Sequence, residues 1–278
     1  MAFWQLRPAG ALAPHVEVLW ASRREALPHG LEWLLPSGCA DLVIPLLDDA
    51  VLRVPQGRVE RLRGGVFQGA CDAALLRATG GCADVVGVHF RPGGAVALLG
   101  GAAAEASGLS VALADFPGEW ALWRERLLAE ADPPGRLRRL EALLQARLPR
   151  AQVDPVVNAA LARLQASDGQ LRIEALRAES GLGTTRFIER FRAQTGLTPK
   201  RLARVLRFNR ALASLAGPHP PSLAELALAT GHADQAHFAH EFRRFAGVPA
   251  ARYRPASPDQ PRHLPERSFL QDTLPRPA

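Results

Sequence analysis

Three cysteines in 278 residues leave little room for disulfide or zinc chemistry. Cys39, Cys71 and Cys82 show no C-x-x-C spacing, and any one pairing strands the third. They read as buried thiols in a reducing cytosol. Histidine is scarce where a metal centre would need it. Residues 1–154 hold only His15, His29 and His89, with no H-x-H pair, so neither a metal nor another cofactor is expected. Long apolar runs are missing too. The most apolar, Ala95 to Ala104, is short, broken by glycine and followed by Glu105, which excludes a spanning helix. Arg7-Pro8, Pro14-His15 and Glu17 interrupt any signal-peptide core, so the expected location is the cytoplasm, without a membrane partner. No nucleophile, base and orienting group can be assembled from the first 154 residues, which argues against an enzyme.

What the chain does have is positive charge in one place. Residues 155–254 hold 15 Arg/Lys against 7 Asp/Glu, a net of +8, whereas residues 1–154 hold 16 against 17 and residues 255–278 hold 3 against 3. A GC-rich codon bias would spread arginine evenly. This concentration suits a polyanion-binding domain joined to a neutral one, and the length allows two domains with separate cores.

The first hundred residues read as short strands. Apolar or alternating runs at 16–20, 31–35, 41–47, 51–54, 75–78 and 84–90 are separated by turn residues such as Pro36-Ser37-Gly38 and Pro92-Gly93-Gly94, which predicts an antiparallel sandwich or barrel. Alternation with Val88 and Phe90 turns His89 and Arg91 away from the core, towards solvent in preference to a pocket wall. Asp41 reads as a turn or cap group. Helices are expected from Pro117 to Ala131 and from Pro134, the second with a stripe of Leu137, Leu140 and Leu144. That stripe either packs on its own barrel or makes a dimer contact. A joint at Leu148 to Asp154 follows.

Beyond it the chain repeats one unit. Asp154 and Pro155 open a helix to about Ser167; further helices are expected near Ile173 to Ser180 and from Thr184 to Thr195, around a turn at Gly181. A long connector starts at Thr198-Pro199 and ends near Gly217. Ser222 and Glu225 form a capping box, Gly231 ends that helix, and Asp234 caps one with Phe238, Phe242 and Phe245 on a single side. Leu176 and Gly181 match Leu226 and Gly231 at an offset of 50; Phe187, Phe191, Arg192 and Gly196 match Phe238, Phe242, Arg243 and Gly247 at 51. The phenylalanines are core residues and not platforms for stacking bases. A helix-turn-helix is used twice.

Asp234-Gln235-Ala236-His237-Phe238, Phe242-Arg243-Arg244, Gly247-Val248-Pro249 and Tyr253-Arg254 resemble the signature of AraC-type transcription regulators. Leu35-Pro36-Ser37-Gly38-Cys39-Ala40-Asp41-Leu42-Val43 and the run from Val86 to Ala95 resemble the N-terminal domain of one branch of that family, a degenerate relative of the cupin-like sensor barrel. Ser37 stands where that branch has Asp. The implied fold class is α+β: a β-rich cupin-like barrel or sandwich at 1–100, a helical segment at 101–150 suited to dimerisation, an all-α tandem helix-turn-helix domain at 154–254, and a disordered tail at 255–278.

The resemblance implies double-stranded DNA as partner and leaves room for a small-molecule effector, a homodimer and contact with RNA polymerase. Base reading falls to Thr185, Ile188 and Glu189 in the first unit and to Gln235, Ala236, Ala239 and His240 in the second, with Gln235 suited to a bidentate contact with adenine. Phosphate contacts fall to Thr184, Arg186, Arg190, Arg192, His237, Arg243 and Arg244. No effector pocket can be named. Two other readings remain: a DNA-binding protein without a ligand, and a DNA-alkylation response protein using a reactive cysteine.

Overall fold

A computed structural model describes residues 2–25, 27, 30–48, 50–54, 58–79, 83–151, 153–257 and 260–266. The alternating runs pair into two antiparallel sheets. The first has the order β1 (Ala2–Leu6), β2 (Val16–Arg24), β9 (Ala83–Phe90), β4 (Asp41–Pro45), β7 (Val66–Gln68) and β10 (Ser110–Ala112). The second runs β11 (His263–Pro265), β3 (Leu31–Leu34), β8 (Leu75–Ala78), β5 (Ala50–Arg53) and β6 (Glu60–Arg63). This is the β-rich sandwich that the spacing predicts.

Side chains alternate across a strand, so each sheet has two unlike faces. Leu19, Leu42, Phe67 and Val88 line the outer face of the first sheet and are fully buried beneath helices. Those helices are α1 (Gly94–Leu99), α2 (Gly101–Glu105), α3 (Trp120–Leu128) and α4 (Pro133–Gln145). Asp132 caps α4 by accepting from the Gly135 N–H at 2.6 Å. Leu137, Leu140 and Leu144 of α4 pack into this same core with Trp120 and Trp123. The leucine stripe therefore serves its own domain, and its side chains are not open to a second copy.

Six helices follow: α5 (Pro155–Ala166), α6 (Ile173–Ser180), α7 (Thr184–Thr195), α8 (Pro199–Ala216), α9 (Leu223–Ala229) and α10 (Gln235–Ala246). They build two cores on either end of α8. Leu164, Leu176, Phe187, Phe191 and Leu202 form one; Phe208, Leu226, Phe238, Phe242 and Phe245 form the other. Gly181 and Gly231, at φ of 67° and 68°, make the equivalent turns in a backbone region that side-chain-bearing residues avoid.

The segment from Pro255 onward departs from expectation. Its six prolines and balanced charge suggest disorder, yet β11 pairs antiparallel with β3, Leu264 is fully buried, and the Tyr253 hydroxyl donates to the Pro261 carbonyl. Backbone pairing and one leucine outweigh composition here. Residues 267–278 lie outside the described residues.

The two halves pack closely. Trp33, Leu35 and Leu264, on the outer side of the second sheet, join the core of the second helical unit, while Ala70 joins that of the first. Arg201, in the first turn of α8, ion-pairs with Asp72 through both nitrogens, its Nε at 2.6 Å. Ser107 donates to the carbonyl of Gly196 at 2.5 Å, and Asn209 to that of Pro36 at 3.2 Å. At Gly38 an added Cβ would stand 2.8 Å from a methyl of Leu202, so glycine allows the loop before β4 to lie on α8.

Candidate nucleic-acid interface

The second helix of each unit presents its N-terminal turns outward, because phenylalanines at i, i+4 commit the opposite side to the core. In α7, Thr184, Thr185, Arg186, Ile188, Glu189 and Arg192 are exposed. In α10, Gln235, Ala236, His237, His240, Arg243 and Arg244 are exposed and Ala239 is half-buried. The two N-termini are built differently. Asp234 accepts from the His237 N–H at 2.7 Å and caps α10, whereas Gly183 gives α7 no side-chain cap. Ahead of α10, Ser222 and Glu225 satisfy each other's backbone N–H groups at 2.8 and 3.2 Å, which fixes the start of α9.

Arg190 departs from its expected role. Its Nε and Nη2 donate to the two oxygens of Asp154 at 2.6 and 2.7 Å, and Asp154 also caps α5 through Val156 and Val157. The guanidinium beside it holds the Asp154 carboxyl below the usual carboxylate range. Arg190 is thus a tie between α7 and α5 and not a free phosphate ligand. Much of the local excess of arginine is used in the same way. Arg163 pairs with Glu179, Arg210 with Asp168, Arg201 with Asp72 and Arg204 with Glu241. Arg186, Arg192, Arg243 and Arg244 have no carboxylate partner among the described residues, and all four belong to α7 or α10.

Sequence reasoning missed the polar group inside the second unit. Glu241 is buried; it accepts from Arg204 Nε at 2.8 Å and stands 3.4 Å from Nε2 of His232. His232 Nδ1 lies 2.8 Å from the Thr230 hydroxyl. Burial would raise the Glu241 pKa, but Arg204 and Arg207 outweigh it, and burial keeps His232 below its ordinary value. The group fastens the glycine turn and α10 to α8. The available signal is that Glu241 sits three residues after Phe238 and beside Phe242, on the side of the helix turned inward. His237 is solvent-facing, its ring edge-on to His232 at 5.2 Å.

The β domain also differs from expectation. His89 is buried, not solvent-facing, and its Nδ1 lies 2.6 Å from Asp41, its register partner in the adjoining strand. Burial works against a charged ring, yet the Asp41 carboxylate outweighs it and pushes His89 up to about 10. Asp41 is accordingly half of an ion pair and not a turn cap. The turn is capped by Ser37, whose hydroxyl accepts from the Cys39 N–H at 3.1 Å. Arg91 is exposed and donates to the Ala13 carbonyl at 2.9 Å. Cys39 and Cys71 are buried free thiols, and burial pushes Cys71 up to about 12, so it is a poor acceptor for an alkyl group. His29 and Cys82 lie outside the described residues. Among the described residues no three His, Cys, Asp or Glu side chains are grouped to hold a metal, and no helix is long and apolar enough to cross a membrane.

Residues 176–256 match the family described as Helix-turn-helix domain, and residues 5–111 match a family described as Domain of unknown function (DUF6597). No curated protein sequence matches the chain. Among solved structures, ToxT from Vibrio cholerae is similar with a TM-score of 0.46 at 8% identity, over 91% of this chain and 98% of that one. Wild-type ToxT from Vibrio cholerae with an unsaturated fatty acid bound is similar with a TM-score of 0.43 at 8% identity, over 90% of this chain and 94% of that one. Behind its two-sheet domain, this chain carries the AraC-type helix-turn-helix domain of DNA-binding transcription regulators.

Proposed function

We propose that the protein is a sequence-specific transcription regulator that reads a promoter with α7 and α10 together and is controlled through its β domain. The observation that carries this reading is the distribution of charge. The arginines left without carboxylates in these two helices stand on the same helices as the exposed side chains at the reading positions. Guanidiniums that gain no intramolecular partner attract phosphates, while Gln235 and Glu189 can discriminate bases by hydrogen bonding and Ile188 by contact with a thymine methyl. Connector α8, 18 residues long and roughly 27 Å at the helical rise, carries one reading unit on each end and holds them at a fixed separation.

Control through the β domain is supported by the junction. Trp33 and Leu264 insert into the core that also holds Phe238 and Phe242 of α10, so a displacement of the second sheet is felt by the second reading helix. A homodimer would use a surface other than the buried leucines of α4. RNA polymerase is the partner that promoter binding would bring close, in the cytoplasm where promoter DNA lies. The test is a mobility-shift series on the full chain in rising salt, comparing DNA from beside its own gene with random duplex. A preference that survives salt supports the reading; equal binding to both, or none at any salt, overturns it.

A further inference from the structure

Charge between the two sheets does not balance. Glu32 accepts from Arg77 Nε at 2.7 Å and lies 3.3 Å from His263, and Asp41 holds His89. Arg53 and Arg262 then have no carboxylate partner among the described residues. Arg53 is only 7% exposed, and its Nε is covered and has no hydrogen-bond partner. Register sets it opposite Arg77, on the face turned to the first sheet, where the Asp41 carboxylate acts on it across the gap without touching it. Arg262 also acts on Asp41 and on His89. Nη1 of Arg53 donates to the Leu52 carbonyl at 3.5 Å, but a guanidinium withdrawn from water with no carboxylate beside it and its Nε unsatisfied is costly to bury, which calls for a charge that arrives to meet it.

The gap is not closed to solvent. Asp41 lies deep between the sheets, yet 32% of its side chain is open, and the side chains of Arg77 and His263 are each 25% open. Trp20, Val43 and Val85 share the face of Asp41 and His89, Leu34 and Leu75 share that of Arg77, and all five are half-buried. Side chains pointing between two sheets but left partly open mark a solvent-reachable cleft, here apolar apart from its cations and the Asp41 carboxylate already paired with His89.

We propose that the space between the sheets binds a small organic carboxylate, paired to Arg53 and Arg262, with its apolar body against Trp20 and Val85. Two guanidiniums suit the planar two-oxygen group, and the apolar wall favours an organic acid over inorganic phosphate. The proposal rests on the reading of the β domain as the controlling one, and it names the ligand class. Arg262 immediately precedes β11, whose Leu264 sits in the core of the second helical unit, so a ligand drawn to Arg262 acts on the strand that touches α10.

Titration calorimetry on the full-length protein tests it, with benzoate and hexanoate as probes against benzamide, hexanamide and inorganic phosphate. At least one acid should bind once per chain, and its amide and phosphate at least about tenfold more weakly. Arg53→Met should weaken the acid by about tenfold or more, and Arg53→Lys by less. If Arg53→Met does not fold, Arg262→Gln, at a more open position, should show the same loss. Binding of neither acid, equal binding of amide or phosphate, or unchanged binding in the variants overturns the proposal. The assay contains no DNA, so specific DNA binding without acid binding overturns this site alone, and acid binding without DNA binding overturns the regulatory reading alone.

Discussion

Arg190 of α7 and Asp154 at the start of α5 are joined by two parallel hydrogen bonds of 2.6 and 2.7 Å, so a cation expected to contact phosphate is held inside the domain. Arg190→Ala should lower the urea unfolding midpoint while leaving the slope of log affinity against log salt unchanged. A phosphate ligand would do the reverse, flattening that slope by about one. Measuring both on one protein preparation separates the two roles.

Gln235 and Arg243 lie on one helix, both exposed, and should behave differently. Gln235→Ala removes a side chain able to read adenine and should cost about 1 to 3 kcal/mol on the cognate site, with relaxed preference at one base. Arg243→Ala should weaken cognate and random duplex alike and flatten the salt slope by about one. Competition binding with a set of single-base variants decides the matter. An equal loss on every sequence for Gln235→Ala rules out its reading role.

The helical half of the fold is legible in the sequence because local signals there agree. Asp154-Pro155, Thr198-Pro199, the Ser222–Glu225 box and Asp234 each start a helix where expected, and Gly181, Gly196 and Gly247 stop one. The β half is legible in part: β2, β3, β4, β5, β8 and β9 fall on the apolar or alternating runs. β1, β6, β7, β10 and β11 are short or charged, with three to five residues each, and β7, β10 and β11 are held by partners distant in sequence. The same limit hid the Asp41–His89 and Arg190–Asp154 pairs, whose members are 48 and 36 residues apart. Periodicity tells which way a side chain points, but not what stands opposite.

Leu264 tests the anchoring of the C-terminal strand. It is fully buried among residues of the second helical unit, opposite Trp33 in the register of β3. Leu264→Ala should destabilise the protein by about 2 to 5 kcal/mol, the range for a buried leucine whose surroundings collapse only in part. A chain ended at Ala256 should lose at least as much, since it also forfeits the acceptor of the Tyr253 hydroxyl and the β11 pairing. Equilibrium unfolding in urea reads both. An unchanged midpoint in the shortened chain would mean that this strand contributes nothing to stability.

The Asp41–His89 pair gives stability a pH dependence whose sign follows from the two shifts. His89 is pushed up to about 10 in the fold and titrates near roughly 6.5 when unfolded, so between those values the native state holds a proton that the unfolded chain has lost. Its contribution is complete below the lower value and disappears as pH rises through the upper one. Asp41, held below the ordinary carboxylate range by the same contact, contributes at the other end, where stability is lost on acidification. Unfolding free energy should therefore fall between about pH 6 and about pH 9.5, by roughly 2 to 4 kcal/mol from this pair. Asp41→Asn leaves a buried imidazole without its counter-ion, which favours the neutral ring, and that variant should start less stable and change far less over the same interval. Denaturation curves for the two proteins at matched pH values provide the comparison. Parallel pH profiles would mean that His89 is neutral in the fold and that its 2.6 Å contact with Asp41 is a hydrogen bond without an ion pair.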